Sequence, residues 1–267
     1  MTSIASYDRL LKLGRSRAHP IMLDVGSCRA HIVLIVADEL TEDCICSGNR
    51  SSQAHRRRVS ARQRHCNGHC TRCVSLSVHI IDANMLRECA EFWELGHKLF
   101  NTTNETFPVP FVPGDLFDPS FLDPAPPAYA PSAMSAPKLS AVRTLTELRG
   151  HVSAMTVCAV FHVFRTADMQ LQLARALGSL LSPEPGSMIF GRHNGLPQKG
   201  FWRGRAFLDM FCHSPESWEE MWDSVVFEKG TVKVEAQLVE KQSRMMLPDG
   251  AVGHKPIFIL EWSVTRV

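Results

Sequence analysis

Lysine is missing from residues 13–97, although arginine is plentiful there and Arg56, Arg57 and Arg58 stand in a row. Past Lys98 the two cations mix normally. A large net charge is also missing: the formal balance is +2. The whole chain is therefore not a polyelectrolyte, and nucleic acid is not an expected partner. No apolar run is long enough to cross a bilayer, so no membrane span is expected. The first residues lack the compact apolar centre of a secretion signal. The nine cysteines are an odd number. Without such a signal they read as reduced thiols in a cytoplasmic protein, not as a disulfide framework. There is no internal repeat.

What remains is a chain of 267 residues, 45% hydrophobic, with enough length for one large domain. Residues 7–13 read as a short amphipathic helix with Leu10, Leu11 and Leu13 inward, broken at His19 and Pro20. IMLDVG at 21–26 is an apolar run ending in glycine, as in a central buried strand that meets a tight turn. Residues 27–89 read differently: rich in Arg, Ser, Cys and His, poor in periodic apolar positions, with orderable patches only at 31–37 and at 74–83, the second a strand ending in Asp82. From Glu91 the periodicity returns. Phe92, Leu95, Leu99 and Phe100 have helical spacing and are expected to pack on a sheet. Residues 107–112 read as a strand, 123–138 as a Pro/Ala-rich surface loop, and 144–148 as a helical turn. Strands follow at 152–159 and 187–191, with a helix from Thr166 between them. Ser214 and Pro215 cap and open a further helix to about Val226, with Trp218, Met221, Trp222 and Val225 inward. Strands at 232–240 and 255–267 close the chain, with a turn at 247–250. This alternation predicts an α/β fold: a mostly parallel sheet with a terminal antiparallel hairpin.

FVPGDLFD at 111–118 is the stretch around which a site is expected. Phe111 and Val112 suit a strand end, Pro113 and Gly114 stop it, and Asp115 then lies past the carboxyl end, where open α/β sheets bind ligands. A carboxylate there, flanked by Leu116 and Phe117, suits a flat ring with an exocyclic amine such as adenine. The plainer reading is an Asp capping a helix that begins near Pro119.

The ordered set LDVG (23–26), EFWELGHKLF (91–100), PGDLFDPSFL (113–122), VFHVF (160–164), LLSPEPGSMIFGRHNG (180–195) and HSPESWEEMWDSV (213–225) resembles a fungal group of class I S-adenosylmethionine-dependent methyltransferases from terpenoid and meroterpenoid biosynthetic clusters. The resemblance covers 7–26 and 91–267, about three quarters of the chain. It implies a Rossmann-like sheet in a single domain spanning 1–267, with 27–89 as an irregular insertion after the first strand. It also implies S-adenosyl-L-methionine as cofactor and O-methylation of a small fungal metabolite, with methyl-ester formation among the options. A homodimer is allowed for.

The resemblance places Asp24 near the cofactor's amino group, lets Gly26 bring backbone close to its methionine part, and sets Asp115 and Leu116 at the adenine. Asp82 stands in for a ribose-binding acid, four residues from the Leu86–Arg87 pair that should adjoin it. His162, after the fourth strand, reads as a general base, as a donor that orients the acceptor, or as a structural histidine. Arg192, His193 and His213 fall on later loops at the same rim and suit an acidic group. Phe161, Trp202 and Phe211 suit an apolar wall or simply the core.

The departure from the group's pattern lies after Gly26, where the expected turn, helix and second strand give way to the foreign segment. A retained intron or gene-model error would produce this, and sequencing the transcript decides it. An intact segment implies an inactive methyltransferase-like protein. Within it Cys66, Cys70 and Cys73 have the spacing of an iron–sulfur site, and with His65 or His69 a zinc site. The Cys/His-rich composition also yields that spacing by chance, and no metal is assigned.

Overall fold

The computed structural model describes residues 4–26, 33–36, 72–78, 93–107, 110–203, 209–246 and 252–267. The first strand, β1 (Ile21–Gly26), pairs in parallel with β5 (Val152–Cys158), and β5 pairs in parallel with β6 (Met188–Gly195). The sheet is completed by an antiparallel hairpin of β9 (Val232–Met246) and β10 (Val252–Arg266), with β10 lying against β6. The strand order is β1-β5-β6-β10-β9. A second sheet holds β2 (Val33–Val36), β3 (Arg72–Val78) and β4 (Phe111–Gly114), with β3 and β4 parallel. A small hairpin joins β7 (Gly200–Arg203) to β8 (Asp209–Cys212). The parallel strands closed by an antiparallel pair are the α/β arrangement that the alternation predicts.

Strand pleating gives the five-stranded sheet two chemically different faces, since cross-strand partners share a face and neighbours along a strand do not. One face carries Leu23, Val25, Met155, Val157, Ile189, Trp262 and Val264, all in the core. It is covered by α3 (Ala167–Leu180) and α4 (Pro215–Glu220), with buried Leu173, Leu177, Trp218 and Trp222. The opposite face carries Asp24, Thr156, Ser263 and Glu235 in one row. Over it lies α1 (Ile4–Ser16), whose Arg9 bonds Ser263 Oγ at 3.2 Å and pairs with Glu235. Leu10, Leu11 and Leu13 are buried, as their spacing predicts.

Local chemistry explains the element ends. Thr166 caps α3 by accepting from Met169 N at 3.3 Å, and Ser214 caps α4 through Ser217 N, with proline at the first turn. Thr144 N donates to Glu147 at the start of the 3-10 turn Leu145–Leu148. The Pro/Ala-rich loop is pinned rather than loose. Arg266 donates to Ala128 O, its guanidinium stands 5.0 Å from the Tyr129 ring centroid, and Tyr129 Oη accepts from Glu228 N at 2.7 Å.

Four expectations are corrected. In the helix at 93–100 (α2), Leu95, Leu99 and Phe100 face outward. The inward face is Trp93, stacked on Phe111 at 5.3 Å, with His97. Pro113 and Gly114 do not stop β4 but belong to it, in register with Ser77 and Val78 of β3, and the Phe121 ring lies 2.3 Å from where a Cβ on Gly114 would stand. Val225 is exposed and Val226 buried. The chain passes from α4 into a π-helical turn over Met221–Val226, and the wider turn shifts the inward phase. Finally, β6 runs on to Gly195, so Arg192 and His193 are strand residues, not loop residues. Phe92 and the turn at 247–250 lie outside the described residues.

Candidate active site

The carboxyl ends of β1, β5 and β6 form one rim. Gly26, Cys158, Arg192, Glu261 and Gln237 stand in register across the five strands, one row beyond Asp24 and Thr156. This charged row occupies the α1 side. Thr156 Oγ1–H donates to Asp24 Oδ1, and burial pushes that carboxyl up to about 7 against the smaller, opposite pull of the threonine bond. A buried acid of this kind ionises readily when a cation arrives beside it. The Cys158 thiol is pushed up to about 11, mainly by burial and further by the charge of Asp24, so it stays neutral at physiological pH.

Beyond Cys158 the chain leaves β5 through Ala159, a non-glycine residue at φ 59°. Its N–H donates to Arg192 O at 2.7 Å, which holds the left-handed turn in place. Strain of this sort clusters at ligand-binding strand ends. The next residues form the 3-10 turn Phe161–Val163. His162 is half-buried there; burial lowers its pKa, and its Nδ1 has no hydrogen-bond partner.

On the α4 side the rim is aromatic. Trp262 Nε1–H donates to His193 Nδ1 at 3.0 Å, so His193 carries its proton on Nε2. The His193 ring lies 4.6 Å from Trp218 and 5.4 Å from Phe161. His213 follows β8, 5.3 Å from the same Trp218, with Nδ1 bonded to Ser217 Oγ at 3.0 Å. Leu196 N donates to His213 O at 3.0 Å and fastens the end of β6 to it. Burial holds His213 at about 4 and His193 well below the ordinary histidine value, helped by the neighbouring His162 and His213. Both Nε2 atoms are buried without a partner.

The sequence-derived residues therefore separate. Asp24, Gly26 and Arg192 belong to the charged row, whereas Phe161, His193 and His213 gather around Trp218. Arg192 and His193 are consecutive in β6 and point to opposite faces. Phe161 is fully buried, its ring 4.7 Å from Trp218 and 5.7 Å from Trp262. Trp202 is half-buried in β7, opposite Met210, and Phe211 touches Phe201 and His213. Gln170 Nε2 donates to Phe164 O and Phe211 O, which ties this hairpin to the His162 turn.

Asp115 follows β4 in a turn, not a helix start. One carboxylate oxygen accepts from Phe117 N at 2.9 Å, and Leu116 is buried. Phe117 meets Phe164 edge-on at 5.3 Å, so the turns after β4 and β5 touch. Asp82, Cys66 and Cys70 lie outside the described residues, and Cys73 is in β3, in register with Ile35; among the described residues no cluster of ligands could hold a metal ion, and no helix is long and apolar enough to cross a membrane. Sequence reasoning missed Thr156, Ser217, Trp262 and Glu261. The alternation of β10 already separates Glu261 from Trp262, but only register against β6 brings them to the rim.

No protein-family profile matches the chain. Two solved structures share its outline loosely. One is the 1,6-didemethyltoxoflavin-N1-methyltransferase of Burkholderia thailandensis, solved with 1,6-didemethyltoxoflavin and S-adenosylhomocysteine: 9% identity, 99% of this chain, 79% of that one, TM-score 0.39. The other is the YcgJ protein of Bacillus subtilis: 9% identity, 72% of this chain, 81% of that one, TM-score 0.41. In sequence, the chain is 26% identical over 141 residues to the O-methyltransferase phiE of Fungal sp. (strain ATCC 74256), a match that takes in 52% of this chain and spans only 39% of that protein's length.

Proposed function

We propose that this chain is a class I S-adenosylmethionine-dependent methyltransferase that methylates an oxygen of a small, terpenoid-type secondary metabolite. The observation that carries the reading is Asp24: a half-buried carboxyl in β1, in register with Thr156 and two residues before the glycine that ends the strand, its pKa raised to about 7 by desolvation. A carboxyl held near neutrality by burial suits a ligand that brings an ammonium group, and the methionine part of the cofactor has one. The partial match to a fungal O-methyltransferase supports the same reading.

Bound at the rim, S-adenosylmethionine would supply an activated methyl for in-line transfer to the acceptor oxygen. The work of the protein is proximity and orientation. Asp24 would pair with the ammonium group, Gly26 would admit the backbone close to it, and Asp115 with Leu116 would flank the purine. His162 Nδ1, spare and uncharged, takes the proton that the acceptor oxygen loses.

Isothermal titration with S-adenosylmethionine and S-adenosylhomocysteine tests this. Micromolar binding is expected. No heat from a sample that unfolds cooperatively would instead mark an inactive relative, in which residues 27–89 have removed the cofactor site.

A further inference from the structure

The inward stripe of α3 has one member of the wrong kind. Gln170, Leu173, Ala174 and Leu177 are all buried on the covered side of the helix, three and four residues apart. Gln170 is 1% exposed. An amide at that depth is costly unless its hydrogens meet acceptors. Both do: Nε2 donates to Phe164 O at 2.8 Å and to Phe211 O at 2.9 Å. Turning the amide over would set its oxygen against two carbonyls, so the network fixes its orientation. Oε1 has no partner, and the nitrogen alone accounts for an amide in this stripe.

The two carbonyls belong to different elements. Phe164 ends the 3-10 turn Phe161–Val163, two residues after His162. Phe211 lies in β8, opposite Phe201 of β7. A further bond joins the same two regions, since Phe211 N donates to Arg165 O at 3.1 Å. Both main-chain groups of Phe211 are thus met across this seam, the N–H by a carbonyl and the C=O by a side chain, as a neighbouring strand would meet them. β7 and β8 form a two-stranded sheet, which has little stability by itself. Its place against the His162 turn therefore depends on such ties, and Gln170 reaches both sides with a single nitrogen.

We propose that Gln170 is a positioning residue: its amide holds the β7–β8 hairpin against the turn that carries His162, and so sets how the aromatic strands stand toward the proposed base. The proposal rests on the methyltransferase reading, in which His162 takes the acceptor's proton, and deepens it. Without the two bonds the carbonyls of Phe164 and Phe211 lose their partner, hairpin and turn part, and water reaches His162. Asp24, on the opposite face of the sheet, is not affected.

The test uses the full chain labelled with 13C,15N-histidine and the variant Gln170→Met, which suits the apolar stripe but has no N–H. Hydrogen exchange read by mass spectrometry should be at least about tenfold faster in peptides covering 161–165 and 209–212, with β1 and β5 exchanging as in the parent. The NMR titration of His162, which burial holds below the ordinary histidine value, should move up toward about 6.5. The neighbouring His193 is held uncharged by burial and does not add to that movement. A residue that merely fills space leaves the titration alone. S-adenosylhomocysteine affinity should stay within about threefold of the parent's, because distant sites behave independently. If Gln170→Met does not fold, Gln170→Asn, whose shorter amide cannot span both carbonyls, carries the same expectations. Unchanged exchange in the two peptides, an unchanged His162 titration in a variant that only unfolds at lower urea, or a larger fall in S-adenosylhomocysteine affinity overturns the proposal. Failure of S-adenosylhomocysteine to bind the parent overturns the cofactor reading instead, which is a separate result.

Discussion

Replacing Asp24 by asparagine isolates the charge of this half-buried carboxyl without disturbing its shape, since Asn Oδ1 still accepts from Thr156. Burial moves the Asp24 pKa from its ordinary value, near 3.9, to about 7. The sign follows directly. Between these two values the unfolded chain has released the proton while the folded protein still holds it, so stability falls as pH rises from about 4 to about 7 and is level above that. At 1.36 kcal/mol for each pH unit, the full cost to the fold at pH 8 is at most roughly 4 kcal/mol. Solvent relaxation around a group that is not wholly enclosed lowers this to about 2–3 kcal/mol. Urea unfolding across pH 4–8 should therefore find Asp24→Asn about equal to the parent near pH 4 and about 2–3 kcal/mol more stable near pH 8. Titration of S-adenosylhomocysteine near pH 8 should show the variant binding at least about tenfold more weakly, for lack of the anion that meets the ammonium group. Parallel stability curves for the two proteins would refute the buried-charge argument. Undiminished cofactor binding would refute the role given to Asp24.

The remaining predictions are more direct. His162→Ala should lower kcat by about a hundredfold or more with S-adenosylhomocysteine affinity unchanged, and the parent's rate should rise with pH through a value below the ordinary histidine range and then level, since burial lowers that pKa; a rate insensitive to pH from about 4 to 7 would count against the base. Gly191→Ala should leave little folded protein by circular dichroism, because the new Cβ would lie 1.9 Å from Val157 O in the neighbouring strand; a cooperative transition near the parent's midpoint would contradict the strand spacing. Ala159→Val should cost about 2 kcal/mol or more in urea unfolding, as a β-branched residue tolerates φ 59° poorly; Ala159→Gly should cost nothing.

Much of the frame was legible because it is written in short-range patterns. The strand at 21–26 and the caps at Thr166 and Ser214 need only their own neighbours. So do the inward leucines of α1. Failures occurred where tertiary contact overrides period. Leu95, Leu99 and Phe100 make as good a stripe as Trp93 and His97, and only the stacking partner Phe111 decides between the two. Val225 has the right α-helical spacing, but the π-turn changes the spacing itself. The site was half legible for a related reason. Residue type marked Asp24, His162, Arg192, His193 and His213, yet a rim drawn from strand ends has no sides. The pleat of β6, which sets Arg192 against His193, becomes informative only once β6 is known to continue that far.

That pleat also makes the two walls independently adjustable. A designer could vary His193 and Trp262 on one face while leaving Asp24, Thr156 and Cys158 in their own layer on the other, and selection acting on such a protein has the same freedom.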